Sequence, residues 1–251
     1  MYMSFYFFSL QPRIEILAAT FFVTMSIYTL NKLTDKEEDE INMPERKKVA
    51  ESGLIVPVSL SSYVAALALG GMEKIEFVVI LLVPLLAGFI YSIKIGGFRV
   101  KDIFLMKNTV IAFSCTTVAM IPFFYISSEY NKLIFIYSFF FLKLFINTVI
   151  FDVRDVEGDK TLNINTIPVK IGVNSTKKLL HSLNIAILAI IFAGVYMNIF
   201  TKYLPVLLFS VVYAYLYIRF SDRISYKLLY DLLVDGEWIY LALMIYIINI
   251  F

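Results

Sequence analysis

The sequence predicts an all-α membrane protein, a polytopic bundle of about eight transmembrane helices. Three observations lead to this prediction. The 251-residue chain is 60% hydrophobic, and its mean hydropathy of +0.79 is well above that of a soluble globular domain. Its charged residues, 17% of the total, avoid the hydrophobic runs almost entirely. Because irregular backbone cannot face lipid, those runs should be helices.

The hydrophobic runs form one continuous series of spans. Short turns follow the second, fourth and sixth spans, and long polar loops follow the others. Short turns join antiparallel neighbours, so we predict helical hairpins within a single domain over residues 1–251. The predicted spans cover residues 13–33, 54–72, 76–93, 108–127, 132–152, 178–199, 203–220 and 236–251.

The distribution of basic residues predicts the orientation in the membrane. Of the 22 lysines and arginines, 17 fall on the side of the long loops. Four fall on the opposite side, at Arg13, Lys74, Lys132 and Lys202, and Lys143 lies within a span. Cytoplasmic loops carry the excess of Lys and Arg, so we predict that the long loops are cytoplasmic. A prokaryotic plasma membrane is the expected location.

The first candidate site lies at the cytoplasmic end of the first span. Asn31, Asp35 and Asp39 are spaced four residues apart. On a helix they form one stripe of oxygen ligands about 12 Å long. A solvated helix end would also carry acidic residues, but polar groups as deep as Asn31 are costly and usually functional.

The second candidate site follows the fifth span. Asp152, Asp155 and Asp159 would share one helical face and repel one another. A divalent cation, with Arg154 beside it, removes that repulsion. The alternative is an ordinary polar loop. Two carboxylate stripes on one side of the membrane predict Mg²⁺ and a phosphorylated ligand.

The metal must be held by oxygen atoms. The chain has one cysteine, Cys115, which lies inside a hydrophobic run, and one histidine, His181. These numbers exclude a disulfide framework, a thiolate metal site and a histidine-rich metal site.

Basic and amide side chains near the acidic stripes are candidate phosphate ligands. Arg46 could contact phosphate or only obey the orientation rule. Tyr91 and Lys94 could form part of the site or an ordinary interface anchor. Lys107 and Asn108 open the fourth span, where a phosphate would be within reach.

Two polar residues lie within the fifth span. Lys143 and Asn147 are four residues apart, on the face that leads to the second acidic stripe. A lysine inside a span faces the bundle or a wet cavity, and it could simply pair with a carboxylate. We interpret Glu237 as a negative charge at a helix start, and Trp238 as structural.

These residues resemble the UbiA superfamily of intramembrane prenyltransferases. The resemblance covers the chain from about residue 13 onward, and the two acidic motifs in this order are specific to that family. The matching elements are N-x-x-x-D-x-x-x-D at Asn31, Asp35 and Asp39; N-x-P-x-R at Asn42, Pro44 and Arg46; Y-x-x-K at Tyr91 and Lys94; R-D-x-E-G-D at Arg154 to Asp159; and T-x-P-V with a following glycine at Thr166, Pro168, Val169 and Gly172.

The resemblance implies a fold of nine helices around a central cavity open to lipid. Two Mg²⁺ ions would bind the diphosphate of an isoprenyl donor, and a lipophilic acceptor would attack the allylic cation. The implied catalytic residues are Asp35, Asp155, Tyr91 and Lys94. The implied diphosphate ligands are Arg46, Lys94, Lys107, Arg154 and Asn147. The implied metal ligands are Asn31, Asp35, Asp39, Asp152, Asp155 and Asp159.

One departure from the family concerns the N-terminus. Only about twelve residues precede the first span, where the family has a whole helix. We therefore expect eight helices rather than nine, with residues 1–8 as the end of the missing first helix. This expectation treats the chain as N-terminally truncated, which would affect its activity.

The predicted function is Mg²⁺-dependent isoprenyl transfer in quinone or lipid biosynthesis. The acceptor could be an aromatic quinone precursor, a glycerol-ether lipid precursor of the archaeal type, towards which N-x-P-x-R points, or a tetrapyrrole. Alternatives are a non-catalytic membrane protein of the same fold and a cation-coupled transporter with carboxylate ion sites. The D-G-x-x-A-R run of CDP-alcohol phosphotransferases is missing. The expected partners are donor, acceptor and membrane lipid, without nucleic acid.

Overall fold

The computed structural model describes residues 1–34, 41–42, 52–92, 94–95, 98–99, 103–223 and 227–250. Seven of its helices are long and apolar enough to cross a bilayer, and Ile75–Ile90 is a shorter apolar helix. Together these eight match the eight predicted spans within a few residues at most ends. The all-α polytopic membrane fold is therefore confirmed.

The helices follow the hydrophobic runs of the sequence. A two-residue hairpin, in which Lys94 pairs with Arg99, interrupts the helical order. The elements are α1 (Tyr2–Phe7), α2 (Ile14–Thr34), α3 (Ile55–Glu73), α4 (Ile75–Ser92), β1 (Lys94–Ile95), β2 (Phe98–Arg99), α5 (Met106–Ala119), α6 (Phe123–Ile126), α7 (Tyr130–Thr161), α8 (Ile167–Ile171), α9 (Val173–Tyr196), α10 (Leu204–Phe220), α11 (Lys227–Val234) and α12 (Gly236–Ile250).

Helices that follow one another in sequence pack against one another. The main contacts join α2 to α3, α3 to α4, α4 to α5, α5 to α7, α7 to α9, and α9 to α10. The buried side chains form two hydrophobic clusters. One cluster lies mainly among α7, α9, α10 and α12, and the other lies mainly among α2, α3, α4 and α5.

The short helix α1 contributes to both clusters. Phe5 belongs to the cluster around α2 to α5, and Phe7 belongs to the cluster around α7. The Phe7 ring lies 5.6 Å from that of Phe200 and 6.1 Å from that of Phe139. Residues 2–7 are thus a helix with a buried aromatic face, at the end of the bundle away from the acidic motifs.

The fifth span corrects one prediction. The predicted span ended at residue 152, whereas α7 is 32 residues long and continues to Thr161. The expectation that Asp152, Asp155 and Asp159 lie on a helix is met, and the polar loop begins later than predicted. No proline interrupts this stretch, and Asn163, with φ of 56°, marks the end of the helix. The second acidic motif therefore lies on the last turns of a membrane helix.

Candidate functional site

The first carboxylate on the extended end of α7 holds two side chains from α5. Asp152 is 2% exposed. Its Oδ1 accepts a hydrogen bond from Lys107 Nζ at 2.8 Å, and its Oδ2 accepts one from Asn108 Nδ2 at 2.8 Å. The charge-assisted contact to Lys107 is the stronger type. Asp152 therefore fixes the first turn of α5 against α7.

One turn further along α7, an arginine and an aspartate form a bidentate pair. Arg154 Nε and Nη2 donate to the two carboxylate oxygens of Asp155 at 2.8 Å and 2.7 Å. The guanidinium also lies 4.8 Å from the centre of the Phe151 ring. This stacking and pairing hold a cation and a carboxylate side by side at the end of α7.

Asp159 links the two motif segments. Its Oδ1 accepts a hydrogen bond of 3.2 Å from Asn42 Nδ2, from the segment after the first acidic motif. Gly158 makes this approach possible, because a Cβ added there would lie only 1.9 Å from Asn42 Oδ1. Only glycine leaves room for the Asn42 side chain at this position of the R-D-x-E-G-D motif.

The remaining oxygen of Asp159 fits a hard cation. Asp159 is 2% exposed, and its Oδ2 has no hydrogen-bond partner. A buried carboxylate oxygen without a donor is costly unless a cation or a donor compensates it. Among the described residues, no three acidic, histidine or cysteine side chains converge into one metal site. Asp35 and Asp39, two of the six predicted metal ligands, lie outside that part of the chain.

An apolar cavity of about 400 Å³ begins near this carboxylate cluster. Asn31 lines one end of the cavity, and Trp238 lines its wall. Thr20, Ala119 and Phe140 line the end farther from the acidic motifs. Helices α2, α4, α5, α7 and α12 contribute the lining, so the cavity lies between the two hydrophobic clusters.

A buried polar network supports the cavity wall. With the amide of Asn147 oriented to satisfy its neighbours, its oxygen accepts from Trp238 Nε1 at 2.9 Å and its nitrogen donates to the Tyr217 hydroxyl at 3.1 Å. Glu237, next to Trp238, accepts a 2.5 Å hydrogen bond from Lys143 Nζ. Lys143 also donates to the Ser210 carbonyl oxygen at 3.2 Å.

The sequence interpretation missed part of this network. Lys143 faces the bundle and pairs with a carboxylate, as one of its two interpretations held. Glu237 lies in the first turn of α12, as interpreted, but it is also fully buried and pairs with Lys143. Trp238, predicted to be structural, lines the cavity. A lysine in one span and a glutamate near the start of another were the available signal.

A buried tyrosine from α11 closes the other side of the α7 terminus. The Tyr230 hydroxyl donates to the Ile150 carbonyl oxygen at 3.0 Å, and its ring lies 6.2 Å from that of Phe151. Burial raises the pKa of Tyr230, so its hydroxyl stays a neutral donor.

Some predicted site residues lie outside the part of the chain that the structure describes. Arg46 is one of these, together with Asp35 and Asp39. Tyr91 and Lys94 are described only by their backbone, at the end of α4 and in β1. The roles assigned to all five stay predictions, as do the ligand roles of the residues that the structure describes.

The fold and the site define a class of protein: a helical membrane protein with buried carboxylates on α7 at the same end of the bundle as the Asn31 end of an apolar cavity. The sequence profile of the UbiA prenyltransferase family matches residues 4–229. The chain therefore belongs to the UbiA prenyltransferase family. Comparison with curated protein sequences finds no significant match.

A solved structure shares the fold. It is described as a UbiA homolog from Archaeoglobus fulgidus bound to GPP and Mg²⁺. The two chains are 18% identical and superpose with a TM-score of 0.64, over 90% of this chain and 85% of that one. This likeness supports the helical architecture.

Proposed function

We propose that the protein transfers an isoprenyl group from an isoprenyl diphosphate to a lipophilic acceptor, with Mg²⁺ as cofactor. The observation that carries this proposal is the hydrogen bond from Asn42 to Asp159, which joins the segments of both acidic motifs. The apolar cavity provides space for a hydrocarbon chain close to these polar groups. GPP, named with the solved homologue, is such a donor.

The polar end of the cavity would hold the diphosphate. Lys107, fixed by Asp152, and Arg154, fixed by Asp155, supply positive charge there. Asp155 and Asp159, with Asn31, Asp35 and Asp39 of the first motif, would hold Mg²⁺. When bound, Mg²⁺ neutralises negative charge on the leaving diphosphate. The further diphosphate ligands proposed are Arg46 and Lys94. Asn147, whose amide is engaged by Trp238 and Tyr217, is proposed to support the cavity wall rather than to contact the diphosphate.

The apolar part of the cavity would protect the reactive cation. The bond between the allylic carbon and the diphosphate oxygen breaks, and the electron pair leaves with the diphosphate. An acceptor carbon or oxygen then bonds to the allylic carbon and loses its proton. Ile27, Val110 and Ile111 line the cavity near its polar end with apolar surface that excludes water from the cation. Tyr91 and Lys94 are proposed to assist at the polar end.

The proposed acceptor is a quinone precursor or a glycerol-ether lipid precursor. Such molecules partition into the bilayer, so they would approach the site from the membrane. The proposed location is a prokaryotic plasma membrane, with the acidic motifs on the cytoplasmic side. The excess of lysine and arginine beside those motifs supports this orientation.

The test is transfer by the purified protein in detergent with Mg²⁺, radiolabelled farnesyl diphosphate and a panel of both acceptor types. We expect Asp35→Ala and Asp155→Ala to lower turnover by at least about 100-fold, since each removes charge stabilisation of the leaving group. Asp222→Ala is the matched control. Asp222 lies on the same side of the membrane but pairs with Lys177, away from the cavity.

The control variant should keep nearly full turnover, because exposed ion pairs contribute little. Near wild-type transfer by Asp155→Ala would refute the assigned role of this carboxylate. Absence of donor binding and transfer by the unmodified protein would instead support a non-catalytic member of the fold. Mg²⁺-dependent ion flux without transfer would indicate the transporter alternative.

A further inference from the structure

The depth of the cavity places a limit on the donor. Among the residues that line the cavity, Asn31 and Thr20 lie eleven residues apart on α2, and Val110 and Ala119 lie nine residues apart on α5. At the helical rise, these two pairs span about 16 Å and about 14 Å. An isoprene unit adds four chain bonds of about 1.5 Å, which project to roughly 5 Å along an extended chain. The depth therefore accommodates about three units.

The volume of the cavity independently indicates the same donor length. A cavity of about 150 Å³ is known to hold benzene, which corresponds to about 25 Å³ per carbon atom. The 400 Å³ of this cavity then holds roughly 16 carbon atoms. Three isoprene units contain fifteen.

The far end of the cavity is closed by packed side chains. Ala119 is 6% exposed and Phe140 is 3% exposed, and both line the cavity there. Behind Phe140, the Phe7, Phe139 and Phe200 rings pack with centroids 5.6 to 6.2 Å apart. Such an aromatic cluster does not yield to a longer chain without loss of packing.

We propose that the protein selects a short-chain donor of about three isoprene units, and that Ala119 and Phe140 set this limit. The inference rests on the proposed function, because it assumes that the diphosphate lies at the carboxylate end. Geranyl and farnesyl diphosphates are the fitting substrates. Donors of eight or more units, whose chains exceed both depth and volume, are poor ones.

The only cysteine of the chain allows a test without mutation. Cys115 lines the cavity five residues beyond Val110, the first lining residue of α5, which places it about 7 Å deeper. A bound chain of one unit ends before this depth, whereas a chain of three units passes it. Modification of Cys115 by N-ethylmaleimide is measured by intact mass. The probes are dimethylallyl, farnesyl and octaprenyl thiolodiphosphates, with Mg²⁺ present and binding of each probe measured separately.

We expect farnesyl thiolodiphosphate to slow modification at saturation and dimethylallyl thiolodiphosphate to leave its rate unchanged. Octaprenyl thiolodiphosphate should bind much more weakly than the farnesyl compound. Tight octaprenyl binding, or equal protection by all three bound probes, would overturn the length limit and leave the proposed function standing. Failure of every probe to bind would overturn both.

A substitution at the closed end provides the second arm. Ala119→Leu shortens the cavity, so the ratio of kcat/KM for farnesyl over geranyl diphosphate should fall by about tenfold or more. Ala68→Leu is the matched control, because Ala68 is exposed on α3 and does not line the cavity. An unchanged ratio in a folded Ala119→Leu variant would refute the role of Ala119.

Discussion

At the residue scale, Lys143 and Glu237 form an ion pair inside the helix bundle. Both side chains are fully buried between α7 and α12. The sequence indicates a lysine that must face the bundle, but it does not show which helix brings the partner. Periodicity locates a residue on its own helix, whereas partner choice depends on how helices pack. The pairing of Glu237 with Lys143 was missed for this reason.

We predict that Glu237→Leu lowers stability by about 3–5 kcal/mol, because it leaves Lys143 charged and unpaired in the bundle. The double variant Lys143→Met with Glu237→Leu should recover most of this loss, since no buried charge remains. Thermal unfolding in detergent measures both. A double variant no more stable than the single one would contradict this account of the pair.

Gly158 gives a second prediction at this scale. Gly158→Ala should reduce prenyl transfer by about tenfold or more, because the new methyl group occupies the position of the Asn42 amide and separates the motif segments. Stability should not fall much, since alanine favours the helix by up to about 1 kcal/mol.

Activity and melting temperature measured together separate these effects. Gly71→Ala is the control, since Gly71 is exposed in α3 and a Cβ there meets only the end of the Val78 side chain, at 3.3 Å. Full activity of Gly158→Ala would show that the contact between Asn42 and Asp159 is dispensable.

At the scale of elements, the contact between α5 and α7 decides the role of Asp152. Both of its oxygens accept hydrogen bonds from α5. If Asp152 positions Lys107 for the diphosphate, Asp152→Asn should raise the KM for the donor about tenfold. The Mg²⁺ concentration that gives half-maximal activity, the Mg²⁺ midpoint, should not change. Titrations of donor and Mg²⁺ distinguish this result from loss of a metal ligand, which would shift the Mg²⁺ midpoint.

The sequence predicted the membrane helices better than their ends. Hydrophobic runs mark where lipid requires satisfied backbone, so the spans of α2, α3 and α12 agree with the structure within one or two residues. The polar end of α7 carries no such signal. There Arg154 and Asp155 pair with each other, and Asp159 finds its partner Asn42 on a distant segment, which the local sequence does not reveal.

At the scale of the whole molecule, the cavity is the feature that sequence reasoning reached only through the family resemblance. Its lining comes from five helices, and most lining residues are ordinary apolar side chains. Nothing in their local pattern distinguishes a lining residue from a lipid-facing one. The acidic motifs were recognisable because charge near a span is rare, whereas Trp238 and Phe140 were not.

The orientation of the intact protein in the membrane is the prediction at this scale. A reporter placed at residues 160–175 should give a cytoplasmic signal, because lysine and arginine concentrate on that side. A reporter at Ser128, in the turn before α7, should give the opposite signal. The measurement uses two reporters in cells, one active only in the cytoplasm and the other active only on the opposite side of the membrane. Exchanged signals would reverse the topology.

The unbroken length of α7 affects how the protein responds to its surroundings. Asp155 and Phe140 stand fifteen residues apart on one helix, so about 22 Å separates them along its axis. A membrane of different thickness can tilt the helix, but it cannot change this separation without breaking backbone hydrogen bonds. Donor-length preference should therefore be the same in thin and thick bilayers, even where turnover is not.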